Sequence, residues 1–463
     1  MAVRTHSSRD HSIPHPRWRV PVLGDLTTVN LTTPTQATMA LGRRLGPVFE
    51  RKLLGLRFVF VYGADIVAEL SDESRFAKKE LPFLRGIGGD GLFTALNEEP
   101  NWRRAHNLLR PAFTQAAMRR YHWTMLEVTS ELIDRWDRGA GGETVDVSGD
   151  MTKLTLETIA RTGFSYSFDA LRRDEPHPFV TAMIDSLFYA PIRTMLSLPV
   201  VGDPMMRRFD EKEQARRDYM FGVVDKVVDE RLAGGPTAHD DLLELMMRAA
   251  REGDPNKLDE RNIRYQIVTF LVAGHETTAG ALSFALYYLS QHPEVQARAR
   301  AEIEEVWGRS DTVSFEQVAK LRYVRRVIDE SLRLWPTAPV YSRQARHDTV
   351  VGGRYRMAAG DSMTVLIPLL HRDPLWGPDP ERFDPDRFAP EVARDRAPHI
   401  YKPFGTGERG CIGRQFAIHE SILVLGSILR RYDIAADPGY TLRVAERLTF
   451  MPRDFRLRLR HRN

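Results

Sequence analysis

The sequence contains a single cysteine, Cys411, among 463 residues. An intramolecular disulfide is therefore excluded, and one cysteine fits a reducing compartment such as the cytoplasm. No apolar run reaches the length of about 18 residues that a transmembrane helix needs. Residues 1–19 also lack the apolar segment of a signal peptide. We therefore expect a cytoplasmic protein with no membrane anchor, in which residues 1–19 form a flexible leader.

Neither positive nor negative charge is in large excess. The 66 lysines and arginines are nearly balanced by 62 acidic residues, which leaves a formal net charge of +4. So small an imbalance, without a lysine-rich or glycine-aromatic segment, argues against nucleic-acid binding. Apolar residues make up 42% of the chain, enough for a large core. Because neither a repeat nor a linker is evident, we predict that residues 20–463 form one domain.

Helical spacing dominates this sequence, with apolar residues recurring at intervals of three and four. Residues 262–291 are long and largely apolar, which predicts a helix that crosses the core. Glycine-rich residues 86–91 predict a loop, and residues 373–390 an ordered loop. Other helices are predicted at 34–45, 64–70, 102–109, 126–136, 151–162 and 315–334, and β-structure at 57–62, 349–363 and 455–460.

The lone cysteine lies in a glycine-rich stretch, residues 404–413, which reads FGTGERGCIG. A long apolar helical pattern follows immediately. A helix N-terminus lowers the pKa of a thiol, and glycines allow backbone N–H groups to approach the sulfur. A thiolate without a second cysteine suits axial ligation of haem iron. The alternative is a buried structural cysteine.

Polar residues interrupt the long apolar helix at residues 273–278, which read AGHETT. A glutamate and a threonine, Glu276 and Thr277, stand side by side in this segment. One interpretation of the segment is a helix kink whose polar residues are satisfied locally. A zinc-protease motif is excluded, because HExxH requires histidine where Ala279 stands.

Glu330 and Arg333 form a third pattern, E-x-x-R, on a predicted helix. Residues three apart share a helix face and can pair. Such pairs are common, and a solvated ion pair is the alternative to a structural role.

These motifs together resemble the cytochrome P-450 family of haem-thiolate monooxygenases, over residues 22–452. The family pattern F-x-x-G-x-R-x-C-x-G is complete in residues 404–413, and residues 273–277 match [AG]-G-x-[DE]-T. The chain looks most similar to the bacterial fatty-acid hydroxylases whose haem domain is often fused to a reductase. The resemblance implies a mainly α, single-domain fold with a minor β region. The haem would lie between the long central helix and the helix after the cysteine.

The resemblance implies haem b with Cys411 as the thiolate ligand of the iron. Phe404 would shield the sulfur, Arg409 would pair with a haem propionate, and Gly405 and Gly413 belong to the cofactor-binding loop. Trp102 and His106 match a W-x-x-x-R motif in which histidine replaces arginine, and both would donate to a propionate. Arg343 is a further propionate candidate by family position.

Oxygen chemistry is implied for residues 273–277. Gly274, beside Ala273, would leave space for dioxygen, while Glu276 and Thr277 would deliver protons. In the family, the Glu330–Arg333 pair is buried and is joined by an arginine from a later loop. Arg387 fits that arginine best by its distance from Cys411, with Arg382 as the competing choice.

The resemblance places mostly apolar residues over the distal pocket, which favours a lipophilic substrate. They are Phe83, Ile87, Leu187, Ala273, Thr277, Ala338, Val340, Leu448 and Thr449. The fatty-acid branch anchors the substrate carboxylate with a basic and a hydroxyl residue in its first strands, where this chain has Leu56 and Phe60. Arg57, one position away, would point to the opposite face of its strand.

The expected activity is hydroxylation or epoxidation of a lipophilic molecule with O2, a fatty acid or similar compound being favoured. Electrons would come from a separate ferredoxin or flavodoxin with its reductase, since the chain shows no fused reductase. A tailoring oxidase of polyketide, terpenoid or antibiotic synthesis is the alternative within this class. A non-turnover haem sensor is the alternative from another class, and the segment AGHETT disfavours it. Glu276 and Thr277 disfavour a peroxide-using hydroxylase.

Overall fold

The computed structural model describes residues 13–139, 144–196, 203–233, 239–308 and 312–462. Residues 1–12, most of the predicted leader, lie outside the described residues. The described residues fold into two compact units. The sheet unit comprises residues 13–79, 339–382 and 395–410, and the helical unit comprises the other described residues. The expectation of one domain from residue 20 onward stays a prediction.

The described residues are mainly helical. In chain order the helices are α1 Pro34–Leu45, α2 Ala64–Glu69, α3 Pro82–Gly88, α4 Pro100–Leu109, α5 Gln115–Gly139, α6 Val147–Phe164, α7 Pro178–Leu196, α8 Asp203–Ala233, α9 Leu242–Glu252, α10 Glu260–Gln291, α11 Pro293–Trp307, α12 Phe315–Lys320, α13 Arg322–Leu334, α14 Ile367–Leu370, α15 Pro390–Arg394 and α16 Arg414–Arg431.

Short strands complete the fold. They are β1 Val48–Leu53, β2 Leu56–Val61, β3 Phe76–Lys78, β4 Thr144–Asp146, β5 Val340–Ala345, β6 Thr349–Val351, β7 Tyr355–Met357, β8 Ser362–Leu366, β9 Tyr432–Ala436, β10 Val444–Glu446, β11 Phe450–Pro452 and β12 Arg456–His461. The predicted fold class, mainly α with a minor β region, is confirmed.

The sheet unit is built on five strands in the order β1-β2-β8-β5-β3. β1 and β2 form an antiparallel hairpin that turns at Leu54 and Gly55, both with positive φ. β2 then runs parallel to β8. The helix α1 packs on β1 and α14. This unit also carries the loop before the cysteine, up to Gly410.

The helical unit is organised around α10, which begins where the Asp259 side chain accepts the N–H of Asn262. This 32-residue helix packs against α3, α6, α8, α13 and α16. Near its middle, a Cβ on Gly274 would come 3.0 Å from Cγ1 of Ile159 on α6. The glycine therefore permits a close approach of α6. The role toward dioxygen implied by the resemblance is not needed to explain Gly274, and it stays a prediction.

Two local predictions were wrong. Residues 86–88 end α3 instead of opening a loop, because Pro82 starts the helix in its first turn and Ile87 is buried. The single helix predicted for residues 315–334 is divided at Leu321 into α12 and α13. The predicted strand near the C-terminus is present as β12, with Leu457 and Leu459 buried between exposed arginines.

The helix α13 carries a fully buried ion pair. Arg333 donates to both carboxylate oxygens of Glu330, at 2.6 and 2.7 Å, and neither side chain is exposed. The backbone N–H of Asp384 donates to Glu330 at 2.9 Å, and Nε of Arg387 lies 3.6 Å from the same oxygen. Burial raises the pKa of Glu330, while Arg333 and Arg387 lower it. The pair ties α13 to residues 383–388 of the same unit.

Removing Arg333 leaves a buried carboxylate without its main counter-charge. We expect Arg333→Ala to lower the free energy of unfolding by about 3–5 kcal/mol in urea denaturation. Arg325→Ala is the matched control, because Arg325 pairs with Asp329 four residues away on the same helix but is partly exposed. That variant should cost no more than about 1 kcal/mol. Equal losses in the two variants would show that burial of the Glu330 pair is irrelevant to stability.

Two buried histidines join α5 to α16. Nδ1 of His122 lies 3.0 Å from Nε2 of His419, and Nε2 of His122 lies 2.7 Å from the carbonyl of Val313. Because a carbonyl only accepts, His122 carries its proton on Nε2, and His419 must be the donor between the two rings. Burial lowers the pKa of His122, and burial together with His122 lowers the pKa of His419 to about 3. Both rings are therefore neutral near neutral pH.

This pair predicts acid sensitivity. The folded pKa of each ring lies below its unfolded value of about 6.5, so the unfolded chain binds more protons and stability falls as pH drops below that value. At a pH about one unit lower, His419 should cost about 1 kcal/mol, and His122 should add to this loss. Urea denaturation at neutral and mildly acidic pH should show a smaller pH dependence for His419→Gln than for the parent. An unchanged pH dependence would contradict the assignment.

Candidate functional site

The cysteine lies immediately before α16, with Gly413 as the residue that precedes the helix. Cys411 is exposed by its accessible surface, yet protein atoms crowd around its sulfur. Burial raises the pKa of the Cys411 thiol, while the N–H of Gly413 and the charge of Arg414 lower it.

The net effect on the thiol is a raised pKa. The lowering expected from the helix N-terminus is present, through the N–H of Gly413, but desolvation outweighs it and the nearby arginine. A thiolate at this position requires a cation of its own, and a coordinated thiol is deprotonated by its metal. Within the described part of the chain, no group of three or more His, Cys, Asp or Glu residues could hold a metal ion. A single thiolate ligand that is accessible at its surface, with protein atoms around its sulfur, fits a haem iron.

The middle of α10 carries an accessible strip around Ala273 and Thr277, and the two ends of the helix are accessible as well. Ala273 is exposed and Thr277, one turn later, is half-buried, whereas Glu276 and Thr278 are buried. The Thr277 hydroxyl donates to the carbonyl of Ala273 at 2.8 Å. Its oxygen keeps its lone pairs available toward the accessible side. The strip consists of a small residue and a hydroxyl, which leaves room beside the helix.

Glu276 lies next to this strip but is only 2% exposed. Burial raises the pKa of its carboxyl, which the charge of Arg447 and the Thr449 hydroxyl lower. Oε2 of Glu276 and the Thr449 hydroxyl each lack a hydrogen-bond partner among the described residues, so the two groups are close without an ideal hydrogen bond. The structure thus brings together a predicted proton donor and a residue predicted for the substrate pocket.

His275 is fully buried and is not a proton carrier. Its Nδ1 donates to the carbonyl of Leu271 at 2.6 Å, and burial lowers its pKa to about 4. The Thr155 hydroxyl on α6 donates to the carbonyl of His275 at 2.8 Å. This bond from α6 holds the helix at the start of the polar segment. No sequence pattern pointed to Thr155.

The remaining cofactor candidates of the helical unit lie on α4. Trp102 is 2% exposed, and its ring stacks on that of His106 one turn later, with centroids 5.4 Å apart. The half-buried His106 and the indole N–H can present two donors from one helix face.

In the sheet unit, Arg343 on β5 is buried, and burial lowers its pKa. Its guanidinium donates to the carbonyl of Thr406 at 3.4 Å, and among the described residues it forms no ion pair. A buried cation of this kind fits a carboxylate, such as a haem propionate. Phe404 and Arg409 of the cysteine loop are half-buried in the same unit.

The cysteine loop is held by a residue that sequence reasoning missed. The carboxylate of Glu73 accepts the backbone N–H of Glu408 at 2.7 Å. Gly407 has φ of +68°, and a Cβ there would collide with Oε1 of Glu73. Both the backbone conformation and the close carboxylate thus require glycine at this motif position. Gly405 shares the positive φ. Only the fold could reveal Glu73, which is distant in sequence from the loop.

The predicted pocket residues differ in burial. Ile87, Leu187 and Thr449 are buried, Leu448 is half-buried, and Ala338 and Val340 are exposed. The side chain of Phe83 lies outside the described residues. In the sheet unit, Leu56 is 59% exposed, and Nε of Arg57 lies 2.6 Å from a carboxylate oxygen of Glu50. Arg57 therefore already has a protein carboxylate as its partner.

Comparison with known proteins agrees with these features. The family model described as Cytochrome P450 matches residues 14–454. A bifunctional cytochrome P450/NADPH–P450 reductase of Bacillus cereus is 42% identical over 454 residues, which cover 97% of this chain and 42% of that protein. One of the bifunctional cytochrome P450/NADPH–P450 reductases of Bacillus subtilis is 43% identical over 456 residues, with coverages of 97% and 43%.

A self-sufficient cytochrome P450 monooxygenase of Penicillium expansum is 37% identical over 458 residues, which cover 97% of this chain and 43% of that protein. The chain thus spans about two fifths of the length of these relatives. No helix in the described ranges has the length and apolar character needed to cross a bilayer. With a family match over nearly its whole length and relatives above 40% identity, the chain belongs to the cytochrome P450 family.

Proposed function

We propose that this chain binds haem b through the Cys411 thiolate and hydroxylates or epoxidises a lipophilic small molecule with O2. The observation that carries the proposal is the accessible strip of Ala273 and Thr277 on the buried helix α10, beside the buried carboxyl of Glu276. An oxygen-activating site needs an uncluttered surface with a hydroxyl and a proton source, and this strip provides them. A haem sensor without turnover does not need them.

The residues that would hold the haem each offer suitable chemistry. Cys411 would bind the iron, with Gly405 and Gly413 allowing the backbone close to the sulfur and Phe404 shielding it. Donors suited to the two propionates are Arg343, Arg409, Trp102 and His106. The buried guanidinium of Arg343, without an ion pair among the described residues, is the strongest of these observations. When bound, a thiolate-ligated haem supplies oxygen activation, which the thiolate favours by donating electron density.

The residues of α10 would control protons and water. Thr277 presents its hydroxyl on the accessible strip and is held in place by its bond to Ala273. Burial raises the pKa of Glu276 and so favours the protonated form of this carboxyl, which lies close to the Thr449 hydroxyl. His275 stays neutral and keeps the helix packed. We assign proton delivery to Glu276 and Thr277.

A fatty acid or a fatty-acid-like molecule is the substrate that we favour. The pocket candidates Ile87, Leu187, Ala338 and Val340 are apolar, which favours a long aliphatic chain over a polar ligand. A tailoring oxidase acting on a polyketide, terpenoid or antibiotic is the second candidate. The exposed Leu56, in place of a basic anchor, favours that candidate.

Electrons would come from a redox component that carries its own cofactor, because one cysteine cannot hold an iron–sulfur cluster. We propose a flavodoxin or ferredoxin with its reductase, and the relatives that are named as bifunctional cytochrome P450/NADPH–P450 reductases favour NADPH as the source of the electrons. Basic residues around the cysteine loop would receive an acidic partner surface: Lys402, Arg409, Arg414 and Arg430. We also propose that residues 20–463 act as one haem domain.

The assignment of Cys411 as the thiolate ligand can be tested by mutation. Cys411→Ala should abolish the long-wavelength absorption band that the reduced carbon monoxide adduct of a thiolate-ligated haem displays, and should abolish turnover. A second readout uses the single cysteine: a thiol reagent should label Cys411 in haem-free protein and should fail to label it after haem is added. Cys411→Ser, of nearly the same size, is the control for folding. Retention of the band by Cys411→Ala would refute haem-thiolate ligation.

The role of Thr277 in proton delivery can also be tested by mutation. Thr277→Ala should divert electrons from product to hydrogen peroxide, with product formed per electron pair falling roughly tenfold or more. Thr277→Ser retains the hydroxyl and should keep most of the coupling. The measurement is product and peroxide per NADPH consumed with a surrogate redox partner. Equal coupling in the alanine and serine variants would exclude the hydroxyl from this role.

A further inference from the structure

An anionic substrate needs a cation, and the first strands do not supply one. Leu56 and Phe60 are apolar, and Arg57 is paired with Glu50 at 2.6 Å. In the helical unit, by contrast, Arg217 on α8 is a half-buried cation without an ion pair among the described residues. The neighbouring Arg216 differs, because it pairs with Asp185 at 3.1 Å and with Glu213 at 3.6 Å.

The guanidinium of Arg217 makes only weak contacts with neutral acceptors. One terminal nitrogen lies 3.3 Å from the carbonyl of Gly86, and the other lies 3.3 Å from the side-chain oxygen of Gln214. Its Nε is buried and has no hydrogen-bond partner in the described part of the chain. Both contacts are longer than the usual 2.7–2.9 Å or so of a charge-assisted hydrogen bond. The group therefore retains most of its capacity to bind an anion.

Arg217 also lies where a substrate end could reach it. Gly86 belongs to α3 and directly precedes Ile87, one of the pocket candidates. The helix α3 packs against α7, which carries Leu187, and against α10. Arg217 thus contacts the helix that would form part of the pocket wall. A substrate that lies along α3 would have the guanidinium at one end.

We propose that Arg217 binds the carboxylate of a long-chain acid substrate and so takes the part of the missing basic residue in the first strands. The proposal rests on the proposed function and names the residue that determines its substrate class. Two terminal nitrogens and a free Nε on one planar group suit a carboxylate, which accepts two parallel hydrogen bonds. The weak bonds to Gly86 and Gln214 would be exchanged for charge-assisted ones.

A purely structural role for Arg217 makes a different prediction. As a donor to the carbonyl near the end of α3, the arginine could simply hold that helix in place. Its removal would then weaken the binding of every ligand that contacts α3, whether charged or neutral. A comparison between an acid and a neutral analogue separates the two roles.

The experiment is a titration of the haem-loaded protein with a saturated long-chain fatty acid and with the primary alcohol of the same length, followed by the substrate-induced shift of the haem absorption band. Arg217→Gln should weaken acid binding by roughly tenfold to a hundredfold, as expected for loss of a charged hydrogen bond. Binding of the alcohol should change by no more than about twofold. Arg217→Lys should recover part of the acid affinity.

Arg207→Gln is the matched control. It removes one positive charge from the same helix, but Arg207 is largely exposed and pairs with Glu211. It should leave both affinities unchanged, which separates local binding from the general field of the protein. If Arg207→Gln weakened acid binding as much as Arg217→Gln does, the proposal would be overturned.

The outcomes also separate this proposal from the proposed function. Equal weakening of acid and alcohol by Arg217→Gln would assign Arg217 a structural role and overturn the proposal, while the monooxygenase assignment stands. An unchanged acid affinity would overturn it in the same way. If neither compound shifts the haem band of the parent protein, the fatty-acid substrate class fails and the proposal fails with it.

Discussion

Burial of α10 on nearly every side is the constraint on which this structure depends. A helix of 32 residues in a protein interior must satisfy its polar groups without bulk water. Thr277 meets this requirement through Ala273, and His275 meets it in part, because Nδ1 is bonded to Leu271 while Nε2 has no partner among the described residues. Glu276 does not meet it fully, because one carboxyl oxygen has no partner among the described residues. The incompletely bonded carboxyl of Glu276 lies beside the accessible strip of α10. This arrangement is the physical basis of the proposed proton delivery.

The same low polarity explains why other charges differ in role. Glu330 and Arg333 are both buried, and each satisfies the other with two short hydrogen bonds, so the pair serves as a rigid joint. Arg343 is buried without an ion pair among the described residues, which suits an anionic ligand instead. The raised pKa of Cys411 follows the same reasoning, because a crowded sulfur favours the neutral thiol until a metal cation binds it. A buried charge that has a partner therefore stabilises the fold, whereas a buried charge that has no ion pair is suited to bind a ligand.

Whether an arginine already has a carboxylate partner also decides whether it can bind an anionic substrate. Arg57 is close in sequence to the position of a family anchor, but its guanidinium is engaged by Glu50. Arg217 has no feature in the sequence that distinguishes it from the arginines around it. It differs from Arg216 only in the partners that the fold brings to each: two carboxylates for Arg216, and a carbonyl and an amide for Arg217. An inference about the anion-binding end of the substrate site is therefore possible only with the structure.

The sequence by itself determined the fold class, the family and the candidates for the reactive residues. Periodicity located α10 within two residues of its bounds, and the glycine pattern around Cys411 left few other interpretations, because these signals are local.

Local signals failed where tertiary contacts decide the outcome. Residues 86–88 became helix through Pro82 and the burial of Ile87, and the Cys411 thiol is governed by desolvation more than by its helix. The tertiary structure alone revealed that Glu73 holds the cysteine loop and that Ile159 explains Gly274. Each of these depends on segments distant in the chain, and no spacing rule along a sequence encodes which distant side chains meet or which charges are left without a partner.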